Sequence, residues 1–327
     1  MYRAGKTSTD GRFPNASLDL GGTARNAAKS LVVSRLSFCR AALTVAAIIA
    51  VIPGVARATP PPELPRPAHT IVIVEENKTL AQIVGNGSAP FINSLASHGA
   101  LFTDAHGVTH PSLPNYLALF SGLTNDNGDD CPATGIPPSA PNLGSELLAA
   151  HLSFGGYAET LPHAGSTVCA AGTYARKHAP WVAFDNVPRH VGRPFTELPA
   201  FDALPTLAFL IPDVDDDMHD GSIAAGDKWL GTHLTSLVRW ANAHDALIVL
   251  TWDEGYDDAN SIPTIFYGPM VRPGRYTERI DHYNVLRTLE DAYHLRRTGK
   301  AATATPIADC WQTTGRAAAL RVRGDVR

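Results

Sequence analysis

His69-Thr70-Ile71-Val72-Ile73-Val74 runs directly into Glu75-Glu76-Asn77. A continuous β-branched run of this length reads as a strand buried on both faces, and the acidic triplet marks its carboxyl end. The same pattern recurs twice. Residues 206–211 read as a strand ending at Pro212-Asp213, and 246–251 as one ending at Trp252-Asp253-Glu254-Gly255. Gly156-Tyr157-Ala158 and 262–267 are two shorter strand-like runs. Helical patterns lie between them: 91–98 stopped by Gly99, 114–121 stopped by Gly122, 145–151, a long amphipathic stretch over 223–243, and 284–293. Leu230, Leu234, Leu237, Val238 and Ala241 share one face of the long stretch. Strands alternating with helices predict an α/β fold, a mostly parallel central sheet with helices on both faces. Ligands of such sheets bind beyond the carboxyl ends of the strands, where the acidic runs stand.

The chain has 327 residues, 44% hydrophobic and 18% charged, enough for one sizeable α/β domain. It shows no internal repeat. Residues 41–51 form an apolar stretch preceded by Arg35 and Arg40 and followed by Pro53-Gly54 and Val55-Ala56-Arg57-Ala58. This is the pattern of a secretory signal, with cleavage after Ala58, and the apolar part is shorter than the ~20 residues of a transmembrane span. The expected organisation is therefore a signal peptide over 1–58, a proline-rich lead-in over 59–68, a catalytic domain over 69–312 and a basic tail over 313–327. Secretion without a transmembrane anchor follows.

Residues 1–58 carry 8 of the 27 Lys+Arg and 2 of the 31 Asp+Glu, so the remainder holds 19 basic against 29 acidic side chains, a net charge of about −10. A chain this acidic is not built to follow a nucleic-acid backbone. An anionic substrate would need a metal or a local basic patch. Three cysteines stay after the signal, and none is spaced as a zinc ligand pair. Cys131 and Cys169, both in Pro/Gly-rich surroundings, are the favoured disulfide, which leaves Cys310 free.

Four groups of residues carry candidate chemistry. Ser112, in His110-Pro111-Ser112-Leu113-Pro114-Asn115-Tyr116, stands at a helix start. It is either an N-cap or a nucleophile beside amides that stabilise phosphate oxyanions, with Asn115 a further donor. The run Asp213-Val214-Asp215-Asp216-Asp217-Met218-His219-Asp220 is either a solvated acidic loop or a source of ligands such as Asp215 and His219; it does not fit an EF-hand. His219 could also act as general acid or phosphate clamp. Asp253-Glu254 and Glu76-Asn77 are carboxylate-rich strand ends that a hard cation would explain. Lys177 and His178, in the dense basic patch from Tyr174 to Trp181, are candidates to meet substrate phosphate, and His282 starts the last helix.

Five segments in order, Glu75-Glu76-Asn77, His110 to Tyr116, Met218-His219-Asp220-Gly221-Ser222, Thr251-Trp252-Asp253-Glu254 and His282-Tyr283-Asn284-Val285-Leu286, resemble the bacterial phosphoesterase family of acid phosphatases and C-type phospholipases. That family lies within the alkaline-phosphatase-like superfamily, and the resemblance covers residues 69–311. It implies an alkaline-phosphatase-like fold, a phosphate-ester substrate (phosphoinositide lipids among them) and a covalent phosphoserine. Ser112 falls on the nucleophile, which also touches the metal; Glu76, Asn77, Asp253 and Glu254 fall on the metal ligands. Asn115, His219 and His282 fall on phosphate contacts or ligands. Two-metal relatives carry Asp-His where this chain has Asp253-Glu254, which favours one divalent cation (Mg, Ca or Zn). Two other readings remain: a phospholipase C-type phosphodiesterase, and a secreted acidic metal-binding protein without turnover.

Overall fold

The first strand, β1 (His69–Glu75), is buried from Thr70 to its end, as an Ile/Val run covered on both faces must be. The computed structural model of the chain describes residues 64–125 and 128–312. The proposed signal peptide, residues 59–63 of the lead-in and the basic tail lie outside the described residues.

After β1 come α1 (Leu80–Ile83), α2 (Pro90–His98), β2 (Ala100–His106), α3 (Ser112–Ser121), α4 (Leu143–Ala149) and β3 (Phe154–Ala158). A two-residue hairpin, β4 (Ala170–Ala171) with β5 (Tyr174–Ala175), leads through short 3₁₀ turns to β6 (Gly192–Pro194). Then follow β7 (Leu207–Ile211), α5 (Ile223–Ala243), β8 (Ala246–Trp252), β9 (Ser261–Tyr267), β10 (Gly274–Asp281) and α6 (His282–Ala292).

Eight strands form one sheet in the order β10-β2-β9-β8-β1-β7-β3-β6. All neighbours pair in parallel except β9, which runs antiparallel to both β2 and β8. The centre of the sheet is β8-β1-β7, so the three acidic strand ends named from the sequence are side by side.

α2 packs on α5, and α3 on α6. Strand alternation assigns the faces. Thr70 bonds the hydroxyl of Tyr293, just past α6, at 2.8 Å; Glu76, six residues on and so on the same side, accepts from Ser112 of α3. The odd residues of β1 point to the other side. Apolar residues from both faces, with Ile71, Ile73, Phe102, Phe120, Phe209, Leu234 and Leu286 fully or almost fully buried, make the core.

Four helices are capped by their own N-cap side chains: Thr79 for α1, Asn142 for α4 and Asp281 for α6, each in a reciprocal capping box, and Ser222 for α5. Cys131 and Cys169 form a disulfide, and Cys310 is free and buried.

Candidate active site

Ser112 is the first residue of α3 and is not its cap. The N-cap position is Pro111, which has no side chain to offer. Asp129 does the capping from a neighbouring loop, accepting from Leu113 N–H at 2.8 Å. Ser112 is thereby released from the local role that its position suggested. Its hydroxyl, only 2% exposed, donates to Glu76 Oε2 at 2.9 Å and also lies against the Asp253 carboxylate.

Glu76 and Asn77 reach the same place because the chain turns sharply after β1. Asn77 has φ 58°, a left-handed conformation that Asn tolerates better than most residues. Its N–H then donates to Asp253 Oδ1 at 3.1 Å. Asp253 N–H donates in turn to the Glu75 carbonyl at 3.0 Å, which extends the β1–β8 pairing past the strand ends. Glu254 accepts from His110 Nδ1 at 2.6 Å on the open side. Glu76 Oε1, Asn77 Oδ1, Asp253 Oδ2 and Glu254 Oε1 are all buried without a hydrogen-bond partner. Four unpartnered acceptor oxygens on adjoining strand-end residues, two of them on carboxylates that meet the Ser112 hydroxyl, have the composition of a site for a hard cation.

The charges agree. Burial first, then the charge of Asp217, pushes Glu76 well above the usual carboxylate range, against the pull of Tyr116, Lys177 and Ser112. Burial, followed by Glu76 and Glu254, does the same to Asp253. Asp217 is pushed up to about 8, again chiefly by burial. Carboxylates gathered in this way resist ionisation unless a cation offsets them.

His178 differs from its sequence reading. The basic patch suggested a surface residue facing substrate, yet His178 is 1% exposed. Its Nε2 is 3.1 Å from Glu76 Oε1 and its Nδ1 3.0 Å from Asp217 Oδ2, close contacts in which Nε2 and both carboxylate oxygens lack hydrogen-bond alignment. The Tyr116 ring stacks on it at 5.2 Å. Burial, with Lys177 and His219 nearby, holds it well below the usual imidazole range. Glu76, His178 and His219 offer ligand atoms within 4.8 Å of one another.

His219 is partly exposed. Its Nδ1 contacts Asp220 at 2.9 Å and its Nε2 stands 3.3 Å from Lys177 Nζ. Lys177 also donates to Asp129 at 2.8 Å. Burial works against the charged lysine, but the Asp129 bond and the surrounding acids hold its pKa above the ordinary value.

Asn115 and His282 come out as braces. Asn115 Nδ2 donates to the Thr109 and Pro111 carbonyls at 2.8 and 3.1 Å and approaches Glu254 at 3.4 Å, while its oxygen accepts from Val108 and Thr109 N–H. Both its amide hydrogens are thus engaged in shaping the loop before α3, with neither directed at a free phosphate position. His282 is 1% exposed and sits behind Asp253, with Nε2 on the Asp253 carbonyl at 2.7 Å.

The sequence reading therefore placed Glu76, Asn77, Ser112, Asp253, Glu254, Lys177, His178 and His219 in one neighbourhood, where the structure finds them together. It did not single out Asp217, Asp129, His110 or Tyr116. Asp217 had a signal, since it is one of five acids in a run, but Asp215 was the member named with His219 as a ligand. Asp129 carried none, because nothing local shows that it caps a helix by bonding Leu113 N–H, sixteen residues earlier.

A mostly parallel α/β sheet with a serine at a helix start and acids at the central strand ends has the make-up of an ester hydrolase that acts on oxyanion groups. Comparison narrows this. The Phosphoesterase family matches residues 86–296, and the chain belongs to that family. A phosphatidylinositol-3-phosphatase of Mycobacterium tuberculosis is 55% identical over 255 residues, 76% of this chain and 84% of that protein. An acid phosphatase of Aspergillus fumigatus is 30% identical over 232 residues, covering 63% of this chain but only 51% of the fungal protein. Among solved structures, an alkaline phosphatase superfamily protein of Vibrio parahaemolyticus superposes with a TM-score of 0.54 at 12% identity, over 75% of this chain and 71% of that one. The lipoteichoic acid synthase LtaP of Listeria monocytogenes does so at 0.53 and 11%, over 75% and 76%. At these identities the likeness is one of fold.

Proposed function

We propose that the chain is a secreted, metal-dependent phosphomonoesterase that works through phosphorylated Ser112, with phosphoinositides such as phosphatidylinositol 3-phosphate as the substrate class. The observation that carries this reading is the Ser112 hydroxyl: buried, excused from capping by Asp129, and hydrogen-bonded to a carboxylate among unpartnered oxygens. The lipid substrate rests on the printed name of the mycobacterial relative. Secretion rests on the apolar stretch and A-x-A pattern before Thr59.

Glu76, Asn77, Asp253, Glu254 and Ser112 would hold one hard divalent cation, with His178 and His219 beside it. Such an ion supplies charge for the phosphate oxygens and lowers the pKa of the serine hydroxyl. Glu76 orients that hydroxyl and accepts its hydrogen. Ser112 Oγ attacks phosphorus, and its new bond forms as the bond from phosphorus to the leaving oxygen breaks. His219 Nε2, at the open side next to Lys177, gives a proton to the departing alkoxide. Water then attacks the phosphoserine phosphorus and gives a proton to His219, the bond to Ser112 Oγ breaks as Glu76 returns its proton to that oxygen, and inorganic phosphate leaves. Lys177 and the Leu113 N–H, both now held by Asp129, are the donors an incoming phosphate would compete for.

The test is a substrate panel of p-nitrophenyl phosphate, bis-p-nitrophenyl phosphate, phosphatidylcholine and phosphatidylinositol 3-phosphate, run with and without chelator. Monoester turnover lost on chelation and restored by a divalent cation is the expected result. Preferential cleavage of the diesters would replace the reading with a phospholipase C-type phosphodiesterase, and no turnover on any ester would leave a metal-binding protein.

A further inference from the structure

The loop after β7 reaches the catalytic face by a sharp turn at Met218. Its φ of 75° is left-handed, a conformation that a residue with a side chain keeps only when its surroundings hold it there. Three contacts do so. The Met218 side chain is 0% exposed and lies over Gly226 of α5, where an added Cβ would stand 2.6 Å from the Met218 Cγ. The Asp217 carbonyl accepts Glu76 N–H at 2.8 Å. The Met218 carbonyl accepts from Lys78 Nζ at 2.7 Å, across 140 residues of sequence.

Two successive carbonyls of the turn are therefore taken by one short segment, 76–78, that follows β1. The segment is itself fixed to the end of β8, through Asn77 N–H on Asp253 Oδ1 at 3.1 Å. The residues on either side of Met218 are delivered to the site by this arrangement. Asp217 comes within 3.0 Å of His178. His219 N–H closes on Asp217 Oδ1 at 2.7 Å, and its Nε2 stands beside Lys177. Lys78 is the side-chain member of the pair of ties. Its Nζ bonds the main chain of the residue just before His219, and a bond to a carbonyl fixes position where a loose charge would not.

We propose that Lys78 is a positioning residue for departure of the leaving group: its bond to the Met218 carbonyl holds the turn that sets His219, and with it the proton that the departing alkoxide takes up. This rests on the phosphomonoesterase reading. Lys78 acts through Met218 and His219 and is not placed on phosphorus or the leaving oxygen. Its effect therefore depends on the alcohol. p-Nitrophenolate is a stable anion that leaves without a proton, whereas the alkoxide of an aliphatic alcohol needs one. Phosphate binding, the cation and the attack of Ser112 are common to both kinds of ester. The ratio of kcat/KM between them isolates the leaving-group step.

The experiment measures kcat/KM of the full chain and of Lys78→Met, at saturating divalent cation, on p-nitrophenyl phosphate and on glycerol 2-phosphate. Met keeps a stem of similar length and removes the donor. The variant should lose at least about 10-fold more on glycerol 2-phosphate than on p-nitrophenyl phosphate. Lys78→Arg, which returns a donor, should regain most of that difference. An equal loss on the two esters would overturn the proposal, because a merely structural tie, or a lysine that only tunes the charge around the cation, gives that result. No loss on either ester would overturn it as well. If Lys78→Met does not fold, Lys78→Gln is taken through the same two assays and judged by the same ratio. Failure of the wild-type chain to hydrolyse either monoester is a separate outcome, which removes the phosphatase reading and this proposal with it.

Discussion

Asp227 and Glu76 are both buried carboxylates near the carboxyl end of β1, on opposite faces of the sheet, and they are treated in opposite ways. Asp227, on α5, accepts Ile92 N–H at 2.8 Å on one oxygen and Phe91 N–H at 3.1 Å on the other, and so closes the exposed start of α2. Glu76 has one oxygen on the Ser112 hydroxyl and the other without a hydrogen bond, 3.1 Å from His178 Nε2, and three neighbouring side chains also keep an unbonded oxygen. A structural carboxylate is satisfied by main-chain donors that the fold itself supplies. The carboxylates around Ser112 are left for something the chain does not supply, which is what a binding site requires.

Substitutions on the two sides should therefore separate activity from stability. Ser112→Ala should reduce kcat by at least about 10³–10⁴-fold while leaving Tm within about 2 °C of wild type. Near-normal turnover of p-nitrophenyl phosphate by that variant would end the nucleophile assignment. Asp227→Asn should do the reverse. It replaces an acceptor by an amide donor facing Phe91 N–H, and should cost about 1–3 kcal/mol in urea unfolding with little change in kcat.

A smaller effect comes from Glu290, whose Oε1 accepts from both Thr298 N–H and Thr298 hydroxyl while its Oε2 has no partner. Burial, outweighing the Thr298 bonds, pushes its pKa up to about 7. Because the folded value lies above the unfolded one, the folded state binds this proton more tightly. That contribution to stability is full below the unfolded carboxylate pKa and is lost as pH rises through about 7. Glu290→Gln keeps an acceptor for Thr298 and never ionises. It should match wild type near pH 5 in thermal unfolding and exceed it by about 1–2 kcal/mol at pH 8. A constant difference across that range would contradict the shifted carboxyl.

The fold was legible where apolar runs were long. β1, β7, β8 and the α5 stretch declare themselves by composition, and helix 223–243 matches its sequence boundaries. β2 and β10 were not seen. β2 (Ala100–His106) mixes Thr, Asp and His into its second half, and β10 (Gly274–Asp281) is an exposed edge strand whose polar sequence GRYTERID has no buried face to impose alternation. The reversed direction of β9 depends on pairing with distant strands, which local periodicity does not encode.

The site followed the same rule. Acids at strand ends could be found because a buried strand fixes where its end lies. His178 could not be placed, because a basic patch in sequence does not tell which of its members turns inward between Glu76 and Asp217. The two meanings of Ser112, cap or nucleophile, were separable only once Asp129 was found capping α3 from beyond its far end.

The central claim is that Ser112 bonds to phosphorus during turnover. The most direct measurement is acid quenching of the wild-type chain during steady-state hydrolysis of a phosphate monoester, followed by mass spectrometry of the peptide that spans α3. The account predicts one phosphate on Ser112, absent without substrate and absent in Ser112→Ala. Turnover with no phosphorylated peptide in the quenched enzyme, or with the phosphate on another residue, would contradict it.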